Sequence, residues 1–163
     1  MTNVKEIIEV PLGARVTEDS ILRYFESRRG SDGTIKIGLR IALRDFGVPA
    51  NLAVEHDVAV DVAKRRDAEN INDEIAVSWT PIDDGAFPKF AGRLIVWSEE
   101  RADESFIELE GTYEPPLGTA GEFFDAAIGY LIAQRTAQAF LTDLKDAAVA
   151  MQRLAAKQQK IEP

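Results

Sequence analysis

Between Val54 and Tyr113 the sequence holds four successive strand-like runs, three of them alternating apolar and polar residues with a period of two, and the breaks between them are short and polar. In the first run Val54, Val58, Val60 and Val62 share one parity, while Glu55, Asp57 and Asp61 take the other. Residues 74–80 place Ile75, Val77 and Trp79 on one face. Residues 90–98 are apolar on both faces, with Leu94 and Val96 against Ile95 and Trp97. Residues 105–113 set Ile107, Leu109 and Tyr113 against Glu108 and Glu110. Such alternation predicts half-buried strands. The separators, 64–72, 82–88 and 99–104, are rich in charge, Gly or Pro and leave no room for the helical crossovers that parallel neighbours require. An antiparallel meander is the expected core of the fold.

The flanks add helices. Residues 4–10, ended by Pro11 and Gly13, read as a first strand. Thr17 suits the N-cap of a helix over 18–29, with Glu18 and Asp19 in its first turn, Arg28 and Arg29 in its last, and Gly30 as the stop. Residues 35–46 are legible two ways. Ile35, Ile37, Leu39, Ile41 and Leu43 alternate as in a strand, yet Ile35, Leu39, Ala42, Leu43 and Phe46 also share a helical face. The Gly47-x-Pro49 exit favours a second short helix.

After the meander, Thr119 and Glu122 have capping-box spacing, and no proline follows until Pro163. Phe124, Ile128, Leu131, Arg135, Ala139 and Thr142 form one stripe, widened by Phe123, Ala127, Ile132, Phe140, Leu144, Ala148, Met151 and Leu154. A helix running to residue 157 would be roughly 58 Å long at 1.5 Å per residue, more than a small domain spans. Its last turns are expected to protrude, fray or pack on a partner, a second copy in a homodimer among them, through Leu144, Ala148, Met151 and Leu154.

Composition narrows the function. A chain of 163 residues fits one domain, 1–157, followed by a tail, 158–163. With 28 acidic against 19 basic residues its formal charge is −9, which repels phosphate backbones and argues against a nucleic-acid partner. Its apolar runs are far shorter than a membrane span, and acidic residues stand where a signal peptide would be apolar, so a cytoplasmic location is expected. The lack of cysteine excludes disulfides, thiolate metal sites and thiol nucleophiles. Gly118-Thr-Ala-Gly121 lacks the remaining residues of a nucleotide loop, and Asp83-Asp84 those of a calcium loop. No cofactor and no metal are expected.

Residues 106–144 read FIELEGTYEPPLGTAGEFFDAAIGYLIAQRTAQAFLTDL: a last strand, Gly-x-Tyr, Pro-Pro, two glycines, then Phe-Asp leading into a helix rich in small residues. This segment resembles the polyketide cyclase and START-like (Bet v 1-like, SRPBCC) superfamily. The resemblance implies an α+β helix-grip fold, an antiparallel sheet wrapped around a long C-terminal helix with two short helices after the first strand. It also implies a cavity between sheet and helix for a small hydrophobic or amphipathic molecule. Members include cyclases and dehydratases as well as carriers and receptors, and no universal catalytic motif carries over.

Candidate site residues therefore come from parity. His56, the sole histidine, shares the parity of Val54 and Val58 and is the only candidate base, or else a histidine packed at the sheet's edge. Arg135, four residues after Leu131, is placed to fix a carboxylate or enolate oxygen, or else packs its stem at the stripe's margin. Trp79 and Trp97, with Phe90, Phe124 and Tyr113, would line an apolar pocket or simply fill a core. Ile128 and Leu131 complete the ligand-lining set from the helix. Glu108, Glu110 and Arg93 read as a solvated outer face, and Lys64-Arg65-Arg66 as a solvated turn. The reading that follows is a binder of a small hydrophobic ligand. The alternatives are a cyclase- or dehydratase-like enzyme using His56 or Arg135, and a ligand-free interaction module using the last helix.

Overall fold

The structure, a computed structural model, describes residues 1–42, 53–66, 73–83, 88–114 and 126–161. Its elements run β1 (Thr2–Val10), α1 (Ala14–Glu26), β2 (Ile35–Ala42), β3 (Ala53–Arg65), β4 (Glu74–Pro81), β5 (Lys89–Trp97), β6 (Ser105–Glu114) and α2 (Ala126–Gln159). The six strands form one antiparallel sheet in the order β1-β6-β5-β4-β3-β2. All four strands expected from the alternating region are present, each paired with its neighbours in sequence.

Over Ile35–Ala42 the period of two prevails over the helical pattern, so one helix, not two, follows the first strand among the described residues. Ile35, Ile37 and Leu39 are buried on one parity and stand opposite Val60, Val58 and His56 of β3. β-Branched residues fit a half-buried pleated surface better than a helix, and here the backbone of β3 supplies the partner. Residues 43–50 lie outside those described, as do Thr119 and Glu122.

Helix α1 also begins earlier than its cap signal suggests. Gly13 occupies the N-cap, which leaves Thr17 one turn inside, with no acid in the first turn and Arg23 in the last. Thr17 is fully buried because its hydroxyl pairs with that of Ser105 at 2.8 Å, tying α1 to the start of β6. Ser105→Ala should cost about 1–2 kcal/mol in urea unfolding, since it leaves the Thr17 hydroxyl buried with only a long contact to the Leu12 carbonyl. An unchanged midpoint would show that this contact suffices. The basic run is no turn: Lys64 and Arg65 end β3, and Lys64 reaches Glu18 of α1 and Asp73. On the outer face Arg93 bridges Glu74 (2.6 Å) and Glu110 (2.9 Å), while Glu108 pairs with Lys5 (2.7 Å). These pairs are solvated and contribute little each.

The inner face of the sheet carries the core, and α2 lies across it. Its 34 residues span about 51 Å at 1.5 Å each. The helix buries Ala133, Thr136, Ala137, Phe140, Leu141, Leu144 and Ala148, whose spacing of three and four residues holds one face to the sheet. From Arg153 to Ile161 every residue is exposed. Of the four residues expected to dock a partner, Leu144 and Ala148 are buried in this chain's own core and Met151 packs against it. Only Leu154 stays open.

Candidate functional site

Strand register assembles an aromatic row on the inner face: Val60 opposite Trp79, Trp79 opposite Phe90, Phe90 opposite Tyr113. Trp79 stacks on Phe90 with centroids 4.3 Å apart and planes at 19°. From α2, Phe140 closes on Trp79 at 5.2 Å and reaches Phe25 of α1 at 6.3 Å. The Phe90 ring lies over the facing pair Gly92 and Gly111, where an added Cβ would come within 2.7 and 2.5 Å of its Cζ. Two absent side chains thus make the recess that seats the ring.

Trp79 is 1% and Tyr113 2% exposed, yet neither the indole Nε1 nor the phenol Oη has a hydrogen-bond partner. Burial pushes the Tyr113 hydroxyl above the usual tyrosine range, so it stays protonated. Thr136 stands beside it and slightly opposes that rise, but outside hydrogen-bond geometry. The Thr136 proton is donated to the Ile132 carbonyl at 2.8 Å.

The residues expected from sequence divide. Trp79 is at the centre of this row. His56 lies on the same face of β3, half-buried and opposite Leu39. It is four residues from Val60, roughly 13 Å along the strand. Leu131 is half-buried on α2. Ile128 belongs to α2, but its side chain lies outside what is described, and Phe124 lies outside altogether. Trp97 is not in the interior: its parity turns it to the outer face, where it stacks on Phe106 at 4.5 Å.

Arg135 is also outside. It is exposed and donates from Nη1 to Gln138 Oε1 at 3.2 Å, and Gln138 Nε2 in turn donates to Glu6 Oε2 at 3.1 Å. Arg135 opens on a surface groove of about 530 Å³ between β2, β3 and α2, with Arg40, Glu55 and Asp143 on its walls. Burial, then the Asp146 charge, raises the Asp143 carboxyl above its ordinary pKa, against Arg40 and Arg28. A groove with both signs on its walls is a poor anion site.

Parity reasoning missed the two facing glycines, although the signal was present: Phe90-x-Gly92 and Gly111-x-Tyr113 put an inner-face glycine beside an aromatic on adjacent strands. The unpartnered donors have no sequence signature. Among the described residues no group of three or more acids or histidines could hold a metal. Nor is any described helix long and apolar enough to cross a membrane.

No family model matches the chain, and no curated protein does. Solved structures do. A START superfamily protein from Mycobacterium smegmatis superposes with a TM-score of 0.52 at 17% identity, over 91% of this chain and 98% of that one. A protein from Thermus thermophilus gives 0.51 at 15% identity, over 92% and 99%. A conserved protein from Geobacillus kaustophilus gives 0.55 at 10%, over 91% and 96%. At these identities the likeness is one of fold. The chain has the START-like helix-grip fold, with an antiparallel sheet closed by a long C-terminal helix.

Proposed function

We propose that this chain binds a small apolar or amphipathic molecule between the inner face of the sheet and α2, without catalysing a reaction on it. The observation that carries this reading is the aromatic row of Trp79, Phe90 and Tyr113 with α2 laid over it through Phe140. Trp79 and Leu131 would line the ligand, with Ile128 and Phe124 from the helix and the segment before it. His56, on the same face, would meet a polar end. Binding would be driven by apolar area removed from water, at about 25 cal/mol per Å².

The polarity of the interior supports a binder over an enzyme. Among the described residues the buried side chains with polar atoms include Thr17, Ser20, Ser105 and Thr136 and the aromatic donors Trp79 and Tyr113, none of which exchanges a proton near neutral pH. With Arg135 on the surface, His56 is the one group on the inner face, among the described residues, suited to acid–base work.

Native mass spectrometry of the purified full chain, followed by extraction, should show a bound apolar molecule. The neutral dye Nile red should brighten on titration into the delipidated protein, and Leu131→Asn should weaken that binding roughly tenfold, as loss of a buried leucine contact would. A chain that carries nothing and leaves the dye dark would overturn the reading.

A further inference from the structure

Most buried polar atoms in folded proteins have a partner, because each one left without costs about 1–3 kcal/mol. Here two donors without one stand in the same register row of the inner face, on either side of Phe90: the Trp79 indole N–H and the Tyr113 hydroxyl. With strands about 4.8 Å apart, their backbones are roughly 10 Å from one another. The indole can only donate, and the Thr136 hydroxyl, which keeps its lone pairs after donating to the Ile132 carbonyl, is outside hydrogen-bond geometry to either donor. What is missing from this row is an acceptor.

The walls define the rest of the molecule. Phe140 and Val60 adjoin the row, and Ala133, Ala137 and Val77 belong to the same buried apolar core. No acid, lysine or arginine is among the described buried residues. A ligand charge placed there would be desolvated without a counterion, at a cost far above what two hydrogen bonds return. Tyr113 remains a neutral donor, its ionisation suppressed by burial.

We propose that the ligand is an uncharged, mainly apolar molecule bearing a carbonyl or ether-type oxygen, and that the Trp79 indole N–H and the Tyr113 hydroxyl donate to that oxygen. This rests on the ligand-binding reading above and adds its chemical class. The same two groups discriminate against the matching hydrocarbon, which would leave both donors unmade, and against a carboxylate, which would bring a charge.

The test uses three probes of one shape on the full delipidated chain: fluorene, fluorenone and fluorene carboxylate. Fluorenone should bind about tenfold more tightly than fluorene, the equivalent of one to two hydrogen bonds. The Trp79 indole proton resonance, assigned by its loss in Trp79→Phe, should move downfield with fluorenone and not with fluorene. Trp79→Phe and Tyr113→Phe should each shrink the ratio of fluorenone to fluorene affinity, measured within each variant so that any loss of apolar contact cancels. Equal affinity for ketone and hydrocarbon would overturn the polar grip and leave the apolar site standing. Tightest binding by the carboxylate would overturn the uncharged class. Failure of all three probes would remove this proposal and the binding site together.

Discussion

Phe140→Ala should lower unfolding stability by about 3–5 kcal/mol, the range for deleting a buried aromatic ring. Phe140 is 0% exposed and touches both an aromatic of the sheet, Trp79, and one of α1, Phe25. Its removal opens a void where α2 joins both. The loss would consume a large share of the 5–15 kcal/mol that holds an ordinary domain folded. Urea unfolding followed by far-ultraviolet circular dichroism measures it. Leu154→Ala, on the exposed end of the same helix, is the control and should shift stability by less than about 0.5 kcal/mol. A Phe140→Ala cost below about 1 kcal/mol would mean that α2 is not anchored by this contact.

The second large effect has a sign that decides the matter. Glycine inside a strand is ordinarily worse than alanine by about 0.5–1 kcal/mol, so replacing one should stabilise. Gly111→Ala should instead destabilise by about 1–3 kcal/mol. Its new Cβ would lie 2.5 Å from the Ala91 carbonyl oxygen and 2.5 Å from Phe90 Cζ. At Gly92 the Cβ would meet the Glu110 carbonyl oxygen at 2.2 Å. Backbone on one side and a seated ring on the other leave nothing soft to yield. Gly38→Ala in β2 makes the contrast, because the atoms in its way belong to the movable carboxylates of Glu55 and Asp57, and it should be neutral or stabilising. Thermal unfolding of the three alanine variants separates the cases. A stabilised Gly111→Ala would show that β5 and β6 can part without disturbing the Trp79–Phe90 stack.

Much of this architecture is legible in the residues. Alternation located β3, β4 and β6, because one face of each strand meets apolar core and the other meets water, and β5 stood out as an apolar run between polar breaks. Within β2 the same alternation was present, but the Gly47-x-Pro49 exit tipped the reading to a helix, and punctuation that ends a strand as readily as a helix did not decide correctly. Pairing with β3 did. Trp97 was misplaced because β5 is apolar on both faces: parity separated it from Leu94, yet hydropathy alone still grouped it with the interior. Arg135 failed for a geometric reason. Each step of four residues turns a helix about 40° past a full circle. Leu131 is already at the half-buried margin, and Arg135 falls beyond it. The face that α2 presents to the sheet is built on Ala133, Thr136 and Ala137, small residues whose hydropathy is too weak to outline a stripe. They are buried because the sheet approaches closest where side chains are short.

The pairing of β1 with β6 sets an order of events. Thr2 must wait for Tyr113, and Val10 for Ser105, so β1 is without its hydrogen-bonding neighbour until β6, more than 90 residues later, has been synthesised. Strands β2 to β6 need only adjacent hairpins, which close at low entropic cost, and they can form while β1 is still unplaced. During that interval β6 presents an open edge and Val4 and Val10 are uncovered, a state prone to pairing with other nascent chains. The Thr17–Ser105 hydroxyl pair closes with the same long-range step, since it joins the helix after β1 to the first residue of β6. Insertion of β1 therefore waits for β6, and crowding on polysomes before that step is a condition under which this sheet is exposed to misassembly.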